Sequence, residues 1–326
     1  MRKLQKGVFL PLVAIIIVIV LVAAGFYSNK FLDFLNKAKE TTKIALTSPE
    51  ASVAPTEIPS PTSAPTLKPT LVPTALPTKV ATPKPTQIAV SGPPGAGYSS
   101  ILVQTERGNF NATVLSIDLN SARMITDTGN DSDCSDNCTV LTLSDYVSRN
   151  GGFAGINGTY FCPDSYPECS AKKNSFDFSV YNTRLGKWIN QGMLSWGSRS
   201  IVYFDGSGAH YLQAANSFGG GLSAGIVNYP GLVNGGNVQI DDNQSGLSDK
   251  QKVKGTKVGI GVRNEKNIMV VIAYNVTMQE FAYVFKSLGA TGALNLDSGG
   301  STAMYYNGRY VAGPGRNLPN AIIFAK

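Results

Sequence analysis

The chain has 326 residues, a net charge of +7 and a single histidine. Residues 1–90 carry ten Lys and Arg against four Asp and Glu, while the other 18 and 17 nearly cancel. No basic stripe is left in the C-terminal part to track phosphates, which argues against nucleic-acid binding, and one histidine disfavours His-cluster metal chemistry.

The chain opens with Arg2, Lys3 and Lys6, then runs apolar from Val8 to Tyr27, broken only by Pro11 and small residues. About twenty such residues span a bilayer, more than the roughly 7–15 of a signal-peptide core. The expectation for residues 1–30 is a cytoplasmic flank and a single-pass signal-anchor in the cell membrane, with everything after it outside. Cleavage near Ala23 and Ala24 is the competing reading.

Residues 31–97 read as a juxtamembrane segment and a Pro/Thr-rich stalk. Twelve of the 18 prolines lie between Pro49 and Pro94, and Pro61, Pro65, Pro69, Pro73 and Pro77 recur every fourth residue, each followed by threonine. Such a tract buries no core and favours extended polyproline II.

Residues 98–326 suffice for one domain with a sizeable core. Strands are expected at 110–119, 153–157, 176–182, 200–205, 258–263, 268–273 and 321–325. YYNGRYV (305–311) is a hairpin signal, because Asn307 and Gly308 suit a tight primed turn. TMQEFAYVFKSLG (277–289) is the best helix, with a Thr277/Glu280 capping box and Gly289 as its stop. A weaker helix is expected at 142–150. This pattern predicts an α+β domain: a mixed β-sheet with few helices, in which strands 268–273 and 292–297 run parallel through the helix between them.

All four cysteines fall in the exported region. Disulfides Cys134–Cys138 and Cys162–Cys169 fit better than crossed pairs, although sequence does not settle the pairing. The C-x3-C and C-x6-C spacings are untypical of zinc. The acidic run DSDCSDNC (131–138) suits either a loose calcium site or a disulfide-tied surface loop.

No G-x-S-x-G elbow, dinucleotide fingerprint or phosphate-binding P-loop is present. His210 follows a turn and reads as a surface residue, so a Ser-His-Asp triad around Ser301 is weak. What remains is carboxylate chemistry. In NLDSGGSTAM (295–304), Asp297 ends a buried-looking strand, and the backbone N–H groups of Gly299, Gly300 and Ser301 make an anion nest. Local turn-capping by Asp297 is the alternative. NGTYF (157–161) also ends a strand at a turn, with Tyr160 placed to line a sugar pocket or to pack.

Together these elements resemble the phosphodiester glycosidase family. NGTYF is similar to that family's NGGYF, and LNLDSGGSTAM to its LDGGGS-T/A element. TKVGIG (256–261) resembles R-T-A-I-G, and GRNLPNAIIF (315–324) resembles R-x-V-x-N-A-L. AGIVNYPGLVNGGN (224–237), between NGTYF and TKVGIG, is like the family's intervening segment, and the order agrees. The resemblance covers about residues 100–326. It departs from the family at Thr159, Ser298 and Lys257, where the family has Gly, Gly and Arg.

The resemblance implies a hydrolase that frees a sugar from a sugar 1-phosphodiester in envelope glycans or glycopolymers. It carries Asp297, Ser301 and Thr302 over as catalytic residues. Asn157, Gly158, Tyr160, Lys257, Gly299, Gly300 and Arg316 become substrate- or phosphate-binding. No cofactor is implied, and a bound cation such as calcium stays open. The alternatives are a catalytically silent glycan-binding module on a stalk and a phosphodiesterase cleaving the P–O bond.

Overall fold

A computed structural model describes residues 92–326. The expected anchor and most of the stalk lie outside the described residues, and among those described no helix is long and apolar enough to cross a membrane. Contacts with the domain begin slightly before residue 98: Gly92 N donates to Asn307 Oδ1 (2.6 Å), and Tyr306 Oη donates to the Ala96 carbonyl (2.9 Å).

Three antiparallel sheets form the domain. The largest runs, edge to edge, β1 (Gly97–Thr105), β2 (Gly108–Asp118), β13 (Asn267–Val276), β12 (Gly255–Asn264), β14 (Gly292–Asn295), β10 (Gly231–Asn234) and β11 (Asn237–Val238). A second runs β16 (Arg309–Ala312), β15 (Met304–Tyr306), β4 (Gly152–Asn157), β17 (Asn320–Ala325) and β3 (Arg123–Thr128). The third runs β6 (Lys187–Ile189), β5 (Val180–Asn182), β9 (Ala224–Asn228), β7 (Ser200–Phe204) and β8 (Ala209–Leu212). Three α-helices accompany them: α1 (Leu143–Arg149), the single turn α2 (Asp249–Lys252) and α3 (Met278–Ser287).

Period-2 alternation explains how the large sheet is covered on both faces. In β13, Ile268, Val270 and Ile272 enter the core shared with the other two sheets, while Met269, Val271 and Ala273 meet α3. β12 alternates differently, with Val258, Ile260 and Val262 in the shared core and only Gly259 and Gly261 on the helix side. A Cβ at Gly261 would stand 2.8 Å from the Phe285 ring, and one at Gly259 would stand 2.9 Å from it. The two glycines are the groove into which α3 lays Phe281 and Phe285. Helix α1 covers the second sheet in the same manner, packing Leu143, Tyr146 and Val147 on Ile125 and Ile323.

The caps of α3 follow the sequence. Thr277 Oγ1 accepts from Glu280 N (3.2 Å), Glu280 Oε2 accepts from Thr277 N (2.8 Å), and Gly289 adopts φ +81° just past the end. Asn307 and Gly308, both at positive φ, turn the β15–β16 hairpin.

Two expectations change. β13 and β14 do run parallel, but β12 lies between them and is antiparallel to both, so every ladder is antiparallel rather than mixed. The expected strand 176–182 shrinks to Val180–Asn182, because the Asn190 side chain, not a neighbouring strand, takes up the Phe176 carbonyl. Both disulfides join the couples expected, Cys134–Cys138 and Cys162–Cys169, which leaves no free thiol for zinc.

The helix-docking groove yields a stability test. Gly261→Val should destabilise the fold by about 3 kcal/mol, because the branched side chain forces Phe285 out of its seat. Urea unfolding followed by tryptophan fluorescence measures the loss; an unchanged midpoint would refute this account of the groove.

Candidate active site

The cleft lies where the large sheet meets the second sheet. β14 ends beside the start of β12, and β4 ends beside the start of β17. One backbone bond joins the two pairs: Asp297 N donates to the Gly158 carbonyl (2.9 Å). Asn157, fully buried at the end of β4, ties both ends of the 297–303 turn. Its Nδ2 donates to the Asp297 carbonyl (2.7 Å), and its Oδ1 accepts from Ala303 N (3.1 Å).

Gly158 is required by close approach, since a Cβ there would collide with Asn320 Oδ1. Asn320 in turn bonds Thr159 twice, accepting from its N (2.8 Å) and donating to its Oγ1 (2.9 Å). Thr159 thus locks the 157–161 segment to β17. Ser298 acts comparably, because its Oγ accepts from Val258 N (3.1 Å) and holds the turn to β12.

In front of this junction opens a cleft of about 580 Å³. Asp297, Gly299, Gly300, Ser301, Tyr160, Lys257 and Arg316 line it, so seven residues expected to share a site share one wall. Asn157 and Gly158 lie behind that wall and position it without reaching the cleft. Thr302 is also not part of the lining, and its buried Oγ1 has no hydrogen-bond partner.

Burial raises the Asp297 carboxyl to about 6, against hydrogen bonds from Ser301 Oγ and Ser298 N (2.8 Å) and the field of Arg316. Such a group changes charge near neutrality, as an acid or base in catalysis must. Tyr160 Oη accepts from Gln251 Nε2 (2.9 Å) and from Asn295 Nδ2. Burial pushes this phenol far above its usual range, so it stays protonated.

Two cations line the cleft together with this carboxyl. Lys257 is buried; its ammonium donates to the Lys250 carbonyl (2.8 Å), and desolvation lowers its pKa against the opposing pull of Asp242. Arg316 lies flat against the Gly300 backbone, where any Cβ would collide with Nη2. Its Nη2 donates to Tyr166 Oη (3.3 Å), while its buried Nη1 has no partner. Neither Lys257 nor Arg316 is ion-paired among the described residues. Arg316 nevertheless lines the cleft, and an arginine without a carboxylate partner there suits an anion.

Residues missed from sequence complete the cleft: Tyr166, Tyr229, Lys250 and Gln251. Tyr166 sits inside the loop closed by Cys162–Cys169, so that spacing was the available signal for a constrained rim. The other three lie in segments without periodicity.

Elsewhere, His210 pairs with Asp205 (2.9 Å) and stacks on Tyr203, away from the cleft. In the 131–138 loop, Asp133 accepts from Asn190 N (2.7 Å), Asp136 from Lys173 N (2.7 Å), and Asp131 from Arg184. Among the described residues no group of three His, Cys, Asp or Glu is arranged to hold a metal ion.

The fold is similar to the catalytic domain of zebrafish N-acetylglucosamine-1-phosphodiester alpha-N-acetylglucosaminidase, auto-inhibited by its pro-peptide. That match has a TM-score of 0.55 and 15% identity, over 74% of this chain and 87% of that one. A hypothetical protein from Synechocystis matches with a TM-score of 0.49 and 16% identity, over 71% of this chain; the chain spans 62% of its length. No curated protein matches the sequence. The sequence pattern of the phosphodiester glycosidases, in contrast, matches residues 150–325, more than half of the chain and all of the cleft's lining. The chain belongs to the phosphodiester glycosidase family.

Proposed function

We propose that the protein is a hydrolase that releases a sugar from a sugar 1-phosphodiester outside the membrane. The observation that carries this reading is one cleft lined both by a carboxyl raised to about 6 and by two cations without carboxylate partners among the described residues. Arg316 and Lys257, which line the cleft, would hold the phosphate and stabilise the charge that grows on it. Asp297 would take a proton from water as the water oxygen attacks the anomeric carbon. The carbon–oxygen bond then breaks, and the phosphate monoester leaves with the electron pair. Phosphate is a good leaving group, so the second carboxylate of ordinary glycosidases is unnecessary.

The apolar Val8–Tyr27 run and the proline tract support a domain held outside the cell on a stalk, where envelope glycans or glycopolymers are the available substrates. Protease added to intact spheroplasts should release the domain by cutting between residues 50 and 91. Protection until the membrane is broken would refute this topology.

A screen of the protein against sugar 1-phosphodiesters identifies the sugar. Hydrolysis in heavy-oxygen water should then place the label in the sugar hydroxyl; label in the phosphate would mean P–O cleavage by a phosphodiesterase. A protein that binds glycan polymers and hydrolyses nothing would be a binding module.

Asp297→Asn should lower kcat/KM at least about a hundredfold, or roughly 3 kcal/mol. In the wild type kcat/KM should rise with pH through about 6 as the carboxylate forms, and an opposite slope would make Asp297 an acid.

The same group makes a stability prediction. Its folded pKa lies above the ordinary aspartate value of 3.8, so its stabilising contribution is present at low pH and is lost between about pH 4 and 6. Asp297→Asn should therefore stabilise the fold by on the order of 2 kcal/mol at pH 7 and leave it nearly unchanged at pH 4. Urea unfolding at the two pH values measures this, and equal effects at both would refute it.

A further inference from the structure

The cleft holds more positive charge than one phosphodiester neutralises. Arg316, Lys257 and Lys250 all line it, and none of the three has a carboxylate partner among the described residues. Neighbouring Lys254 shows the ordinary alternative, with its ammonium 3.1 Å from Glu280. Against the three cations the lining sets one carboxylate, Asp297; Asp242 acts on Lys257 through space from outside it. A bound phosphodiester adds a single negative charge. With Asp297 ionised, one positive charge is still left over.

Geometry says where that charge sits. The Arg316 guanidinium carbon and the Lys250 ammonium each lie 4.9 Å from the centroid of the same Tyr166 ring. The Cys162–Cys169 bridge closes the loop that carries this ring, so the platform for both cations is constrained covalently. The face of a phenol ring attracts a cation but does not neutralise it, and two like charges drawn to one ring repel each other. Arg316 is anchored there by its bond to Tyr166 Oη and by the Gly300 backbone. Lys250 has no such anchor: it is exposed, and its ammonium makes no hydrogen bond within the described residues. Its backbone is nevertheless fixed, because its carbonyl accepts from Lys257 and the adjacent Gln251 donates to Tyr160. The result is a free ammonium on a held backbone, beside the position assigned to the scissile phosphate.

We propose that the cleft selects sugar 1-phosphodiesters whose aglycone carries a second anionic group, a phosphate or carboxylate a short linker away, and that Lys250 binds it. This rests on the reading of the cleft as a sugar 1-phosphodiester site. Arg316 and Lys257 hold the scissile phosphate, and Lys250, across Tyr166, holds the next anion. An exposed lysine binds as a point charge, so phosphate and carboxylate are both accepted, and specificity comes from position.

The test uses the full chain and the sugar hydrolysed in the screen described above. Three substrates share that sugar and the scissile phosphodiester and differ in aglycone: glycerol, glycerol phosphate and glycerate. The two charged aglycones should raise kcat/KM about tenfold over glycerol, an advantage that shrinks with added salt. Lys250→Gln should remove most of that advantage, so that the charged substrates lose far more than the glycerol one, and Lys250→Arg should keep it. A preference for phosphate over carboxylate would identify a repeating phosphodiester as the natural aglycone; equal preference would identify a general acidic one. The proposal is overturned if wild type treats all three alike, or if Lys250→Gln slows all three equally. A screen in which no sugar 1-phosphodiester is hydrolysed would overturn the phosphodiester reading itself, before this comparison is reached.

Discussion

The site depends on one seam. The large sheet and the second sheet meet at the ends of β14 and β4, and the Asp297 N–H to Gly158 carbonyl bond crosses between them. Asn157 reinforces the seam from below by bonding both ends of the 297–303 turn. These are buried polar bonds, and leaving any one of them unmade costs the full desolvation of its groups. Such a network tolerates little displacement, so the Asp297 carboxyl is presented to the cleft in one orientation. A loop held this way acts as part of the scaffold rather than as a surface loop.

The seam also sets the electrostatics. It places Asp297 among protein groups that desolvate it, while Ser301 and Ser298 donate to it and Arg316 supplies a favourable field. Desolvation wins, and the carboxyl titrates near neutrality. Lys257, buried on the neighbouring strand, is destabilised as a cation by the same physics. Carboxyl and ammonium are therefore both held in environments that favour their neutral forms, and an anion in the cleft would relieve the ammonium and Arg316 together. Uncompensated charge of this kind belongs to a site that binds something.

Around the seam, packing supplies rigidity at short range. Gly259 and Gly261 admit α3 closely enough to seal the far face of the sheet that carries Lys257. The Cys162–Cys169 loop holds Tyr166 against Arg316, so a covalent closure some residues after β4 fixes a guanidinium that arrives just before β17. Elements distant in sequence converge on the cleft because each is tied at a strand end.

The amino-acid sequence determined much of this by itself. Short strand-like runs, several of them continuously apolar, placed β4, β7, β12, β13 and β17, and the Thr277/Glu280 box and Gly289 placed α3, because these signals are local and need no partner. The strand-end motifs at 157–161 and 297–301 could be read locally either as chemistry or as turn caps and packing, and Lys257 and Arg316 were singled out only through the resemblance to the family. Tertiary structure decided the rest. Whether Asn157 faces substrate or backbone depends on which strand end lies above it, and that is set by the pairing of β4 with β15 and β17. The order β13-β12-β14 arises from long-range pairing that no local pattern encodes, and it converts an expected mixed sheet into an antiparallel one. Tyr166 lies in an irregular loop, and Lys250 and Gln251 in the single-turn helix α2, too short for any periodicity to give a side chain a direction. They became part of the cleft only through a disulfide, a cation shared across one ring and a bond to Tyr160. Local physics names the elements and the reactive groups; only the folded chain decides which of them face each other.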